Sequence, residues 1–395
     1  MVGGPTVHWY YAVQLTSYCQ NHVKLLACTD INGKIDSKQK IKPCFCCLEI
    51  KPLTLRQLKL YSRMDFGPNR PTQLSLPEMQ DKIKAVYNEV GKIVVGQRYM
   101  LNRLMVGLFT NGHILLEGVP GLAKTLTVNT LAQVLHLDFQ RIQFTPDLLP
   151  ADLVGTMIYN QRNGEFEVKK GPIFANIILA DEVNRSPAKV QSALLEAMQE
   201  KQVTIGETTF ILDKPFLVLA TQNPVEQEGT YPLPEAQLDR FMLKIFVNYL
   251  DKEAELEVMR RMSNLTFDVK VSPILSKSEI FQIRDEINKV TISESLEKYI
   301  IELVFATRKP KDYGLTEVAH FVQYGVSPRA SINMNRAAKA IAFFDGRDYV
   351  LPEDIKEIAF DVLNHRLILN YEAEAEGISS KEIIDMILKK VPINI

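Results

Sequence analysis

Apolar positions recur along this chain with two different periods, and the change from one to the other predicts its elements. After Leu76, the residues Ile83, Val86, Tyr87 and Val90 share one face at helical spacing, which predicts a helix up to Gly91. A second helix is expected from Arg98 to Thr110, where Asn111-Gly112 ends it. Short continuous apolar runs then take over: His113–Glu117, Phe139–Phe144, Asn176–Ala180, Phe216–Ala220 and Met242–Val247. Runs of this length separated by helical patterns predict a parallel five-stranded sheet covered on both faces, an α/β class.

Two segments interrupt that rhythm. Met157–Val168 carries Asn163-Gly164 between strand-like arms, and Gln202–Leu212 carries Gly206-Glu207 between Val203-Thr204-Ile205 and Thr208–Leu212. Both read as inserted β-hairpins. After Tyr249 the pattern is helical throughout, over Lys252–Met262, Ser278–Lys289, Ser293–Thr307, Arg329–Phe344 and Pro352–Asn364. The expected organisation is an N-terminal extension (1–63), a linker (64–75) with Pro68 and Pro71, a sheet domain (76–249) and an all-helical domain (250–395).

Charge and cysteine usage change the picture at the N-terminus only. The net charge of −1 over 395 residues averages two unlike parts. Residues 1–63 carry nine Lys/Arg against three Asp/Glu, a balance of +6, so the rest stands at −7. All five cysteines and Trp9 also precede residue 48. Cys44, Cys46 and Cys47 are too crowded for the pair spacing of a zinc site. Polar residues such as Gln14, Gln20 and Asn21 break any signal-like apolar stretch, and no run approaches the roughly 18 apolar residues of a membrane helix. The extension therefore reads as a poorly ordered tail, or as sequence upstream of a start at Met64. A cysteine-free remainder suits a cytoplasmic protein without membrane insertion.

The strongest chemistry lies directly after the first predicted strand. Gly118-Val119-Pro120-Gly121-Leu122-Ala123-Lys124-Thr125, followed by Leu126, has the spacing of a phosphate loop. Backbone N–H groups cradle the phosphates there, Lys124 reaches their outer oxygens, and the Thr125 hydroxyl can ligate Mg²⁺. A helix opening at Lys124 adds its N-terminal dipole. Ala123 replaces a usual glycine, which requires that residue to take helical dihedrals. A second signal is Ile177–Ala180 running into Asp181-Glu182. Adjacent acids ending a buried strand need compensation. In a phosphohydrolase, Asp181 would hold Mg²⁺ and Glu182 would orient the attacking water.

On these residues the chain resembles the AAA+ ATPases, and within them the MoxR family, from about Ser75 to the C-terminus. Further segments carry the resemblance: Ile93-Val94-Val95-Gly96-Gln97, Leu219-Ala220-Thr221-Gln222-Asn223-Pro224, Leu238-Asp239-Arg240-Phe241 and Ser327-Pro328-Arg329-Ala330. The resemblance implies that Val94, Val95, Gly96 and Gln97 pack the adenine and that Asn223 is a polar sensor of the γ-phosphate. It further implies that Arg240 is an arginine finger serving a neighbouring subunit and that Arg329 opens the lid helix as a sensor, in its own subunit or the next. An ATP- and Mg²⁺-dependent hexameric ring is expected, with partners bearing von Willebrand factor A domains that it remodels as a chaperone. Two other readings stand beside it. One is a nucleic-acid motor of the helicase type, which the acidic core and the mixed charges of the first hairpin (Arg162, Lys169 and Lys170 against Glu165 and Glu167) disfavour. The other is a nucleotide-gated scaffold without hydrolysis, against which Lys124, Asp181, Glu182, Asn223 and Arg240 stand together.

Overall fold

The computed structural model describes residues 74–119, 121–162, 164–222, 230–263 and 269–393. The N-terminal extension, most of the linker, Pro120 and the sensor candidate Asn223 lie outside the described residues. Helices α1 (Leu76–Gly91) and α2 (Arg98–Thr110) precede β1 (Ile114–Glu117), followed by α3 (Lys124–Val134), β2 (Phe139–Gln143) and α4 (Pro150–Val154). A first hairpin, β3 (Gly155–Asn160) with β4 (Glu165–Lys170), leads to β5 (Ile177–Asp181) and α5 (Ala188–Glu200). A second hairpin, β6 (Gln202–Ile205) with β7 (Thr208–Ile211), precedes β8 (Leu217–Gln222), α6 (Glu235–Leu238) and β9 (Leu243–Phe246).

The C-terminal region is helical: α7 (Lys252–Met262), α8 (Lys277–Lys289), α9 (Glu294–Arg308), α10 (Val318–Phe321), α11 (Pro328–Phe344), α12 (Pro352–Leu363), α13 (Tyr371–Glu376) and α14 (Ser380–Lys390). It also holds an antiparallel ribbon of β10 (Val322–Tyr324) against β11 (Ile368–Leu369), which no periodicity announces because each arm is three residues or shorter.

The sheet order is β2-β5-β8-β1-β9, with every neighbouring pair parallel. Successive side chains on a strand point to opposite faces, so each apolar run is divided between two cores. Ile177, Leu179, Leu217, Leu219, Ile114 and Leu116 enter one; Ile178, Ala180, Val218, Ala220 and Leu115 enter the other. The second core is closed by α5 through Val190, Leu194 and Met198. The first runs on without a break through α1, α2 and α3 into the C-terminal helices, with Ile280, Leu303, Met334 and Ile358. Local signals frame these helices as the sequence requires. Ser75 caps α1 in a capping box with Glu78, and Met79, Ile83, Val86 and Val90 form its buried face.

A buried ion pair ties α2 to α12 across that shared core. Arg103 Nε donates to Asp361 Oδ2 at 2.7 Å, Nη1 to Glu357 at 2.7 Å, and the Tyr99 hydroxyl donates to the other Asp361 oxygen. Burial pushes the Asp361 carboxyl above its ordinary range against the pull of Arg103 and Tyr99. Arg103→Met is therefore expected to cost about 3–5 kcal/mol in urea unfolding at neutral pH, because it leaves a buried carboxylate without its cation. The deficit should shrink in acid. With its folded pKa raised above the unfolded one, Asp361 contributes stability below the unfolded value and loses it as pH rises through the folded value. A deficit independent of pH would assign the loss to packing instead.

Candidate nucleotide site

The C-terminal ends of four parallel strands meet at one edge of the sheet, and register sets which side chains stand together there. Gln143 pairs with Asp181 across β2 and β5, and Glu117 with Gln222 across β1 and β8. The loop leaving β1 borders a cleft of about 480 Å³ lined by Gly118, Gly121 to Leu126, Arg141, Asp181, Glu182, Thr221 and Gln222. Gly118 is needed because a Cβ there would meet the Val247 carbonyl oxygen at 2.6 Å. Gly121 takes φ +85°, a region glycine enters freely.

Ala123 departs from expectation. Its dihedrals are helical but left-handed, φ 56° and ψ 23°. Such a conformation costs roughly 1–2 kcal/mol for an L-residue. The first turn of α3 holds it: both the amide and the hydroxyl of Thr127 donate to the Ala123 carbonyl, at 2.9 and 3.0 Å.

Lys124 opens α3, and its ammonium donates to Gly118 O at 2.5 Å. Burial lowers its pKa, with Asp181, Glu117 and Glu182 pulling the other way. Glu182 also sits left-handed, at φ 55°, a strain of the kind that accumulates at functional sites. The turn it makes places its carboxylate on the cleft, where Oε2 accepts from Gln143 Nε2 at 2.8 Å and Arg185 Nη1 at 2.9 Å. Asp181 accepts from Arg141 at 2.6 Å and from the Thr221 hydroxyl at 2.6 Å. Thr221 in turn accepts the Glu182 amide at 2.8 Å. Backbone donors, a lysine, two hydroxyls and two carboxylates on a single cleft suit a nucleotide polyphosphate with Mg²⁺, for which Thr125 and Asp181 are the protein ligands at hand.

Sequence reasoning missed three of these residues. Arg141, Gln143 and Thr221 contact the two acids only because β2 and β8 flank β5. The alternating polar positions Arg141 and Gln143 within a strand read as buried were the available signal. Thr221→Val keeps the shape and removes both bonds to the acids. It is expected to lower Mg²⁺ affinity or Mg²⁺-dependent turnover by about 10–100-fold, the usual effect of losing a partner behind a metal ligand. A Mg²⁺ titration with wild-type midpoint and plateau would remove Thr221 from the site.

The remaining candidates lie apart from this cleft. Val94 and Gln97 are buried and do not line it. Gly96 packs against Leu250 and Ala254, on the same run of chain whose Val247 meets Gly118. Arg240 precedes β9, and the next residue but one, Met242, donates its amide to His113 O just before β1. Since β1 and β9 are parallel, Arg240 stands at the N-terminal edge of the sheet, opposite the phosphate loop. Arg329 joins it there. Both line a second cleft of about 280 Å³ with Asp239, Met242 and Arg336. Arg185 lies at the phosphate cleft instead, where it is bonded to Glu182.

A parallel sheet in this order, a phosphate loop after β1 and an acid pair at the end of β5, with β8 between the two strands, define a P-loop nucleotide-binding protein of the AAA type. Residues 113–243 match the ATPase family associated with various cellular activities (AAA), and residues 315–387 match the AAA lid domain. The chain is 50% identical to "Chaperone MoxR1" of Mycobacterium tuberculosis over 303 residues, which is 77% of this chain and 80% of that protein. It is 29% identical to "Protein MoxR" of Methylorubrum extorquens over 341 residues, 82% of this chain and 98% of that one. A crystal structure of a Cytophaga hutchinsonii protein assigned as an ATPase superposes with a TM-score of 0.78 at 72% identity, covering 81% of this chain and 97% of that chain. The protein belongs to the MoxR family of AAA+ ATPases.

Proposed function

We propose that this chain hydrolyses ATP with Mg²⁺ in a closed ring, which turnover requires and nucleotide binding does not, and uses the resulting movement to remodel partner proteins.

 Residues 76–249 act as the nucleotide-binding domain and 250–395 as the lid. In this reading Lys124 and the loop from Gly118 to Leu126 hold the phosphates, with Val94 to Gln97 towards the base. Thr125 and Asp181 hold the metal, Glu182 orients the attacking water, and Asn223 senses the γ-phosphate. Mg²⁺ supplies charge neutralisation on the phosphate oxygens when bound.

One observation carries the reading: the two halves of the expected chemistry stand on opposite edges of one sheet. The phosphate cleft holds Lys124, Asp181 and Glu182, while Arg240 and Arg329 share the other cleft. A second copy presenting its Arg240 edge to the phosphate cleft would complete the site, and a heterologous contact of that kind closes into a ring when its rotation closes and otherwise runs on as a filament. This favours action in the neighbouring subunit for Arg329 as well as for Arg240. Remodelling of proteins, with von Willebrand factor A-domain partners, and a cytoplasmic location rest on family membership. Among the described residues no helix is long and apolar enough to cross a membrane. The charges of the first hairpin agree with a protein substrate rather than a polyanion. In the first hairpin Lys170 is held over the rings of Phe174 and Phe210, leaving Arg162 and Lys169 against Glu165 and Glu167.

The test is complementation between two inactive variants. Lys124→Ala subunits lack a working phosphate cleft but offer Arg240; Arg240→Ala subunits have the converse. Mixing them should restore turnover that neither has alone. A mixture as silent as its components would overturn the shared site.

A further inference from the structure

We propose that Arg366 is a positioning residue for the inter-subunit site, acting through Asp239 and the backbone on either side of Arg240 to aim both Arg240 and Arg329. The inference rests on the reading of Arg240 as a residue that serves the neighbouring subunit.

The segment from Asp239 to Met242 lies between α6 and β9, and its amides turn back to α6 or, at Met242, across to the start of β1. Arg240 N donates to Gln237 O, Phe241 N to Leu238 O and Met242 N to His113 O. Its carbonyls turn to one side chain. Arg366 Nη2 donates to Asp239 O at 3.1 Å and to Phe241 O at 2.5 Å, and Nη1 donates to Met242 O at 3.2 Å and to Val362 O. Arg366 Nε donates to Asp239 Oδ1 at 2.8 Å. All five N–H groups of the guanidinium are used, and three of the four carbonyls of the segment that contains Arg240 are gripped. The two residues before Arg366 extend the grip. His365 Nε2 donates to Phe241 O at 3.1 Å, and Asn364 Nδ2 donates to Lys244 O at 3.1 Å.

Asp239 carries the same constraint to Arg329. Its Oδ1 also accepts from the Ser327 hydroxyl at 2.8 Å, and Ser327 is the N-cap of α11, the helix that Pro328 and Arg329 open. Its Oδ2 accepts from Arg329 Nη1 at 3.4 Å. One carboxylate, on the residue before Arg240, thus joins Arg366, the cap of the helix bearing the second arginine, and that arginine itself. The ties differ in strength. Arg366 is sealed, with 1% of its side chain exposed, whereas Arg329 is about half exposed on the longest bond. An incoming polyphosphate can draw Arg329 away while Arg366 keeps Asp239 compensated.

Stability alone is a poor reason for this arrangement, since apolar residues often replace a buried ion pair without loss. Placement is a better one. Catalytic groups must be held to within about 0.5 Å, and an error of 1 Å can cost about 10²-fold in rate. A planar fork with five fixed donors on a short loop meets that requirement, and a lysine ammonium does not.

Arg366→Lys keeps the charge beside Asp239 and loses the fork. It should lower kcat by about 10²-fold, with KM for ATP within about 2-fold of wild type, because the phosphate cleft is at the other edge of the sheet. Mixed with Lys124→Ala subunits, Arg366→Lys should recover turnover as Arg240→Ala does, since its own cleft can use a neighbour's correctly aimed arginines. Asp239→Asn, tested in parallel, carries the same expectation should Arg366→Lys fail to fold. Wild-type kcat in both variants would overturn the proposal. So would an Arg366→Lys mixture that stays silent while the Arg240→Ala mixture recovers, for that places the defect inside the mutated subunit. Failure of both mixtures would instead overturn the inter-subunit reading on which the proposal rests.

Discussion

Arg240→Ala is expected to lower the ATPase kcat by roughly 10³–10⁵-fold, the range for losing an arginine that stabilises the transferring phosphoryl group. Nucleotide affinity should stay near wild type. Arg240 precedes β9 at the N-terminal edge of the sheet, and the phosphate loop follows β1 at the C-terminal edge. Four-residue strands at about 3.3 Å per residue hold the two apart by about 13 Å, too far for Arg240 to contribute to binding in its own subunit. Its side chain donates through Nη1 to a neutral acceptor, Leu195 O, at 3.1 Å, so truncation leaves no buried charge behind at that contact. Phosphate release at saturating ATP and equilibrium binding of a fluorescent nucleotide measure the two quantities separately. Equal losses in both would move Arg240 into its own nucleotide site, and an unchanged kcat would remove it from catalysis.

Glu182→Gln should reduce turnover by about 10²–10⁴-fold, the usual contribution of a positioned general base, and leave binding intact. The amide is nearly isosteric with the carboxylate, and its oxygen can still accept from Gln143 and Arg185. It cannot accept a proton from the attacking water. Retained turnover would sink the assignment of Glu182. The same variant holds ATP without consuming it, which makes it a bait for partners. Recovery of a protein with a von Willebrand factor A domain, in ATP but not in ADP, would support the proposed partner class. Consistent recovery without one would undercut that class and leave the ATPase reading standing.

Local signals were enough for most of the architecture. The phosphate loop is contiguous, so its chemistry is written in eight successive residues. The predicted helices Leu76–Gly91, Arg98–Thr110 and Lys252–Met262 coincide with the observed bounds, because a capping box, an Asn-Gly stop and an Asp251 cap mark them locally. The five strands and both hairpins follow from apolar runs and Gly-containing turns. What escaped was set by neighbours distant in sequence. Thr221 was read only as part of a motif, yet it bridges Asp181 and Glu182 from 40 and 39 residues away. The handedness of Ala123 was equally out of reach, since the closing turn at Thr127, not the alanine, selects it.

By itself, then, the amino-acid sequence determined the classes of element, the phosphate loop and the acid pair, because each depends on spacing within a few residues. The tertiary structure decided everything that depends on strand order and on long-range polar contacts. Placing β2 and β8 on either side of β5 brought Arg141, Gln143 and Thr221 to the two acids. The parallel pairing of β1 with β9 set Arg240 at the edge away from its own phosphate loop. The grip of Arg366 on residues 239–242, through four of its five donors, spans more than 120 positions of sequence. No local periodicity encodes such contacts, because a buried guanidinium finds its acceptors only after the backbone carbonyls have been assembled around it.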